Sequence, residues 1–598
     1  MVVRYITQSE FHKALCSVWK PYQGPSYRIH NSRIGIAVSG GVDSMALARL
    51  CAELKNLPKE LQRWNFHFTA FIVDHRARPN SSKEAYFVRN QLQTWGLPTI
   101  ILPLDWSGVQ AAQLPNFETQ ARRLRYQALG NACRDRQIQS LLLAHHEDDQ
   151  AETVLLRLAQ GHRGIGLTGM QDTAQIPECC GIHGVHQSGS KELGKEILTV
   201  GSLNRKLFPN KILSRLQKVD SPMPFEDGGI QIQRPLLNFS KRRLKATCDW
   251  YKIRWVEDET NRDPTRTPRN AVRQLLCSKR LPLSLQKDVI AKLRKRVSDK
   301  IENRVGHART LFRRCEISML DTRSGALVVR LPSCPVSKPI PPEHLRQRLI
   351  EREYTVALML RQILCIVSPQ EGISLQSLNF AVKALFPKFK DDPLAEVELN
   401  LQHSIFTTAG VSFQRVLSPL QFRDGTNRNQ PNRLWLKQKS LNPDFVWILT
   451  RQPFHSTIEI PTIKIEPAPS SLQNSTLSRR PFHLWDSRYW IRVQNATKFP
   501  LLIRPLRPED LVRLRSSRTQ SLEVRELDSL LHVVAPGKVR WTLPVIVIAG
   551  LQERPEEVLG LPSLEWGHSR ARELGVLWEI RYKKVYLGLG ASLRDAVI

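Results

Sequence analysis

The sequence predicts an α/β fold: a parallel sheet in the first half, a helical middle region, and a smaller strand-rich α+β domain at the carboxyl end. Between Arg33 and about Gly169, short β-branched and aliphatic runs alternate with helical stretches, as a parallel sheet requires. Prolines gather at Pro332 to Pro342 and again at Pro461 to Ser478, marking linkers that divide the remainder. A chain of 598 residues is also long for one core, and roughly 150 residues per domain gives three or four units.

Residues 1–32 read as an N-terminal extension. Ile34 to Val38 is an apolar strand, followed by a Gly-containing turn and a helix from Ser44 to Leu54 with Leu47, Leu50 and Leu54 at helical spacing. Phe66 to Val73 is the second strand. Ser81, with Glu84 three residues on, reads as a capping box for a helix whose face is Phe87, Val88, Leu92 and Trp95. Thr99 to Leu104 and Ser140 to Ala144 are the third and fourth strands, separated by an arginine-rich helix from about Phe117 to Arg134. Residues 171–229 lose all periodicity and read as an inserted or poorly ordered loop. Gln231 to Gln233 resumes the fold, so the first domain spans 33–278. Residues 279–460 read as a helical or mixed region with a helix starting near His344, and 479–598 as an α+β tail with strands at Pro544 to Ala549 and Leu577 to Tyr586.

Composition narrows the function class. Lys and Arg total 88 against 55 Asp and Glu, a formal charge of +33, which solubility does not require and a polyanionic partner explains. Ten scattered cysteines without a C-x-x-C pair argue against zinc or dithiol chemistry and read as reduced structural thiols. No uncharged apolar run is long enough to cross a bilayer. The first 33 residues set Arg4, Lys13, Lys20, Arg28 and Arg33 against Glu10 alone, which permits a mitochondrial transit segment; otherwise a cytoplasmic location is expected.

The string Ser39-Gly40-Gly41-Val42-Asp43-Ser44 lies between the first strand and its helix. Without side chains at 40 and 41, backbone N–H groups can approach phosphate oxygens, and the helix N-terminus adds unsatisfied donors. Ser39 and Ser44 can donate hydroxyls, and Asp43 can hold Mg2+ against the phosphates. No G-x-x-x-x-G-K-[ST] occurs, so this is not a loop that grips terminal phosphates with a lysine.

That string resembles the PP-loop of ATP pyrophosphatases, which implies a Rossmann-like sheet, ATP as cofactor and transfer of AMP. Further strings resemble tRNA(Ile)-lysidine synthases. Val73 to Ser81 is similar to VDHGLRPxS, with Arg76 and Ala77 in place of Gly and Leu, and puts Asp74 and His75 at a strand's carboxyl edge, where open α/β sheets bind ligands. Ala121 to Tyr126 resembles ARxxRY, placing Arg122, Arg125 and Tyr126 on one helix face. Ala144 to Thr153 resembles AHHxDDQxET, a pair of histidines and a set of acids opening a helix, with Asp149, Glu152 and Thr153 on one face suited to metal or amine binding. Residues 161–170 depart from the family's RGSGxxGLxGM string, with Gln160, His162 and Arg163 at variant positions. Arg234 to Leu237, Glu257 to Asn261 and Arg269 to Arg273 resemble RPLL, EDPTN and RNxIR, and the whole likeness covers about residues 33–278.

The resemblance implies a two-step reaction: AMP is placed on the C2 oxygen of a tRNA cytidine, and the side-chain amine of free L-lysine then displaces it. Candidate catalytic residues are Asp43, His145, Asp148, Asp149 and Glu152, with His146 a rival base and Asp43 and Asp149 as metal ligands. Asp74, His75, Arg122, Arg125, Arg269, Asn270 and Arg273 are candidates for holding substrate. The expected partner is tRNA(Ile) with a CAU anticodon, with RNA affinity carried by residues beyond about 279, such as Lys292 to Arg296 and Arg504 to Arg518. A homodimer is left open. A tRNA thiolase shares the adenylation step but uses sulfur-carrying cysteines, commonly paired, and a nucleic-acid-binding protein with a degenerate ATP site would also fit the charge.

Overall fold

The computed structural model describes residues 3–19, 32–54, 65–77, 80–106, 116–188, 223–256, 265, 267–278, 281–332, 342–386, 405–417, 445–455, 459–468, 476–516, 522–550, 556–583 and 585. They fall into two compact units, residues 1–187 with 227–303, and residues 188–226 with 304–598.

The first unit is built on a six-stranded sheet. Its strands are β1 (Ser32–Val38), β2 (Phe66–Asp74), β3 (Thr99–Pro103), β4 (Ser140–Leu142), β5 (Thr173–Gln175) and β6 (Gln231–Gln233), in the order β3-β2-β1-β4-β6-β5. All neighbouring pairs are parallel except β5 with β6. From β1 the chain winds outward through β2 and β3, then returns to the other side of β1 with β4. The order therefore reverses between β1 and β4, and the crevice beyond their carboxyl ends is where such sheets bind ligands.

Helices α1 (Gln8–Val18), α2 (Val42–Glu53), α3 (Ser81–Thr94), α4 (Phe117–Asp135), α5 (Glu147–Ala159), α6 (Lys241–Trp250) and α7 (Pro268–Cys277) belong to this unit. The helical spacing of Leu47 and Leu50 puts both in the core with Ile34, Ile36 and Leu92. Residues 1–32, expected as an extension, contain α1, which is capped by reciprocal Thr7 and Glu10 bonds and buries Phe11 and Leu15 in that same core. The capping box expected at Ser81 does not form. Asn80 is the cap, and the Ser81 hydroxyl instead donates to the buried Asp74 carboxylate at 2.6 Å.

The second unit carries the strand-rich tail, including Pro544–Ile548 and Leu577–Tyr582, in antiparallel sheets of five and three strands. The stretch read as helical or mixed has long helices, Lys287–Arg313 (α8) and Pro342–Val367 (α9), and also a five-stranded antiparallel sheet that begins at Glu316–Asp321. Its strand Val411–Leu417 opens on the alternation Val411-Ser412-Phe413-Gln414, with Val411 and Phe413 buried, a signal that the helical reading of the region passes over. Helix α8 crosses the boundary between the units, its first part, through Asn303, belonging to the first.

The segment 171–229, expected to be a loop outside the fold, is structured where it is described. β5 pairs with β6, and Ile176, Cys179 and Val185 are buried against Leu129 and Ile230. Residues 189–222 lie outside the described residues. Replacing all of 171–229 with a short Gly-Ser link is therefore expected to give insoluble protein, because it strips that core. In the intact chain, Val185→Ala should cost about 1–3 kcal/mol in urea unfolding; an unchanged midpoint would show that the segment is peripheral.

Candidate active site

Gly40 ends the first strand's turn with φ +83, a left-handed conformation, and a Cβ there would stand 2.9 Å from Val88. The turn is closed by its own serines: the Ser44 hydroxyl accepts from the Ser39 N–H at 3.2 Å and donates to the Gly41 carbonyl at 3.0 Å. This leaves the first N–H groups of α2 without intrahelical acceptors, pointing out of the helix end where anions bind. Asp43 sits in the first turn. Its Oδ2 faces His146 Nε2 at 3.4 Å and Lys241 Nζ at 3.5 Å, whereas Oδ1 is buried without a hydrogen-bond partner. Burial works to raise the Asp43 carboxyl, but the His146 hydrogen bond and the charges of His146 and Lys241 outweigh it and hold it below the usual range.

The second half of the site opens α5, after β4. The Asp149 carboxylate accepts from the His146 backbone N–H at 3.1 Å, filling the capping position, and lies 3.5 Å from His146 Nε2. His146 thus touches the carboxylates of both helices, and it is 2% exposed. Burial works to lower its ordinary value, but the hydrogen bond to Asp43 and the charges of Asp149 and Asp43 overcome it and raise it. Asp148 accepts the Lys241 N–H at 2.8 Å and pairs with Lys287. Glu152, also 2% exposed, is held by two guanidinium groups: Arg273 Nε at 2.7 Å and Arg269 Nε at 2.8 Å. Arg269 also reaches Asp149 Oδ1 at 2.5 Å. Four carboxylates, Asp43, Asp148, Asp149 and Glu152, thereby meet four permanent cations, Lys241, Lys287, Arg269 and Arg273, with His146 between.

His145 has a different neighbour. Arg234, at the end of β6, donates from Nε to His145 Nδ1 at 3.2 Å and from NH1 to the Gln171 carbonyl at 2.8 Å. A guanidinium has no lone pair to offer, so Nδ1 must be bare and the neutral ring carries its proton on Nε2. Burial, with the charges of Arg234 and Arg269 added, pushes His145 down to about 4 against the pull of Asp149. His145 is therefore a hydrogen-bond donor through Nε2, and its Nδ1 cannot serve as a base while Arg234 holds it.

The remaining sequence candidates are placed as follows. Asp74 is buried, and its carboxylate is taken up by the Arg76 N–H at 3.0 Å and by Ser81 and Ser82 at 2.6 Å each, so it shapes the loop after β2. His75 follows it, its carbonyl accepting from Trp106 at 2.7 Å. Arg122 and Arg125 flank the Tyr126 ring at 4.9 and 5.3 Å, and Arg122 pairs with Glu178 at 3.2 Å. Neither bonds to the acidic cluster, although the Arg122 charge acts on Arg234. Asn270 donates its backbone N–H to Thr267 at the start of α7. Residues 257–261 lie outside the described residues. Lys241 and Lys287 were missed, since single lysines carry no sequence signal. So were Gln150 and Arg157, which fix the variant loop through Met170 at 2.7 Å and the Gly166 and Gly169 carbonyls at 2.9 Å.

A family model described as a PP-loop domain matches residues 8–183 and 205–280. A probable tRNA(Ile)-lysidine synthase from Schizosaccharomyces pombe is 27% identical over 568 residues, 93% of this chain and 95% of the relative. A tRNA(Ile)-lysidine synthase from Wolbachia of Brugia malayi is 30% identical over 238 residues, 39% of this chain and 41% of the relative. One from Thermosynechococcus vestitus is 29% identical over 230 residues, 38% of this chain and 48% of the relative. The chain thus matches less than half the length of these two bacterial relatives.

The adjacent histidines should titrate on opposite sides of 6.5, His145 near 4 and His146 above 6.5, in an NMR titration assigned with His145→Gln and His146→Gln. The signs for stability are opposite too. His146 contributes stability that is full below its ordinary value and lost as pH rises through the raised one, whereas His145 contributes stability present above 6.5 and lost as pH falls toward about 4. Midpoints in the reverse order would contradict the contacts with Asp43 and Arg234.

Proposed function

Because the chain belongs to the tRNA(Ile)-lysidine synthase family of PP-loop enzymes, we infer that it ligates lysine to C2 of the wobble cytidine in the CAU anticodon of tRNA(Ile), consuming ATP. The observation that carries this reading is the His146 bridge, which sets the phosphate loop of α2 against the acidic start of α5 at the sheet's reversal point. An adenylation site and an amine site are needed side by side, and these two helix ends supply them.

In the first step the cytosine C2 oxygen attacks the α-phosphorus of ATP and diphosphate leaves. The α2 N-terminus and the glycine turn hold the phosphates. The buried, unpartnered Oδ1 of Asp43 suits a divalent cation, and Mg2+ held there would neutralise phosphate charge; Asp149 fits that role less well, its oxygens being engaged by Arg269 and His146. In the second step the lysine side-chain amine adds at C2, AMP departs with the oxygen, and the nitrogen loses a proton. A free amine of this kind has a pKa of about 10.4, so it arrives as an ammonium and must be deprotonated. To pair with an acid of α5 it exchanges with one of the cations that hold them, such as Lys287 on Asp148, and His145 offers its Nε2–H to the pyrimidine or to the phosphate.

The S. pombe relative's match over nearly its whole length supports this reading over that of a thiolase. Mitochondrial residence is part of the proposal, supported only by the basic composition of the first 33 residues, a stretch whose α1 is packed into the core.

Asp43→Ala should reduce lysine incorporation at least a hundredfold while tRNA binding stays within about threefold, because a ligand to the phosphate-neutralising cation is lost and no basic surface is removed. Nucleoside mass spectrometry of tRNA incubated with protein, ATP and labelled lysine provides the readout. Parental incorporation by the variant, or no lysine adduct with the parent protein, would defeat the assignment.

A further inference from the structure

The charge of +33 calls for a polyanion, but it does not say where. Two basic stretches stand out in sequence, and the structure treats them differently. In the tail, Arg504 is 1% exposed and bonded to Asp510 and Glu556, Arg507 lies 3.7 Å from Glu556, Arg513 donates to the Glu556 carbonyl at 3.2 Å, and Arg515 pairs with Asp528. Those cations are largely consumed within their own unit. Residues 517–521 lie outside the described residues.

Helix α8 is the opposite case. Ile290 is buried against Ala151, Val154 and Leu155 of α5, and Lys287 pairs with Asp148, so the helix start is tied to the acidic end of the site on both counts. At 3.6 residues per turn, Lys292, Lys295 and Arg296 fall on the side away from Ile290, Lys295 and Arg296 standing three and four residues beyond Lys292 on either side of it. All three are exposed and, among the described residues, none has an acidic partner. An open groove of about 340 Å³ borders the first two, lined by Ala291, Lys292, Arg294, Lys295 and Ser298, with Arg296 outside it.

We propose that Lys292, Lys295 and Arg296 bind the phosphodiester backbone of the RNA substrate, leading it to the site from the catalytic unit itself. The inference rests on the proposed function for the identity of the RNA. Exposed unpaired cations in a row neutralise phosphates with release of counterions, and they carry affinity without reading sequence. RNA affinity then does not belong wholly to the residues beyond the catalytic unit, since the first part of α8 folds with that unit.

The test uses full-length protein and a tRNA transcript bearing a CAU anticodon. The triple variant Lys292→Gln, Lys295→Gln, Arg296→Gln should bind at least tenfold more weakly near 150 mM salt. Its log–log salt slope should be shallower by about 2, from three contacts at about 0.7 each. In turnover the loss should fall on KM for the RNA. The charge-preserving variant Lys292→Arg, Lys295→Arg, Arg296→Lys should keep affinity within threefold. Parental affinity and slope in the Gln variant would overturn the proposal, leaving the face merely solvated, as would an equal loss in the charge-preserving variant. Binding is read without lysine transfer, so a parent protein that binds the transcript but adds no lysine sinks the proposed function and leaves this inference to stand or fall on the slopes.

Discussion

The site depends on compensation of charge at the meeting point of two helix ends. Asp43 and Asp149 come from different strand–helix junctions, and each carboxylate lies within 3.5 Å of the same His146 ring nitrogen. His146 makes these contacts from a position that is itself the helix cap, so backbone geometry and electrostatics fix the same atoms, and against the effect of burial the two carboxylates raise its pKa above the ordinary value. Glu152 presents the same problem one turn on and is answered by Arg269 and Arg273. A buried carboxylate stripped of its partners costs about 3–5 kcal/mol, which makes α7 part of the site although it comes from a distant stretch of sequence.

The sheet explains why these groups meet. β1 and β4 are hydrogen-bonded neighbours, Ile36 level with Leu142, so the loops following them emerge side by side. β6 lies on the other side of β4 and delivers Arg234 to His145, giving the two adjacent histidines neighbours of opposite character. Rings one residue apart in sequence are thereby pushed in opposite directions: against the effect of burial, the hydrogen bond to Asp43 and the nearby acids raise one, whereas burial and the neighbouring arginines lower the other. The division of roles follows from strand order and not from the histidines themselves.

This also defines what sequence could and could not reveal. The parallel strands of the sheet were legible to within a residue or two because apolar runs and glycine turns mark them, as Ile34 to Val38 illustrates, whereas the antiparallel Thr173–Gln175 was read as loop. The phosphate loop and the acidic helix were legible because several chemical residue types crowd into short strings. Long-range partners were not, because Lys241 and Lys287 lie 198 and 139 residues from the aspartates they meet and resemble any surface lysine. The mistaken capping box at Ser81 has a related cause: the local pattern was right, but a buried carboxylate seven residues upstream competed successfully for the hydroxyl.

Net charge shows the same limit at the scale of the whole chain. An arginine contributes equally to the formal charge whether it is buried between two acids, like Arg504, or extended into water, like Arg296. Only the second kind presents an uncompensated field to a polyanion; the first serves folding, since a guanidinium with five donors can satisfy several acceptors in an interior that a lysine would leave unpaired. Of the tail arginines that looked like an RNA surface, Arg504 is buried within its unit, whereas Arg507 and Arg515 are exposed but face the acids Glu556 and Asp528. The electrostatic footprint of a basic protein is therefore set by which acids the fold brings to each cation, a property of tertiary structure that composition cannot contain.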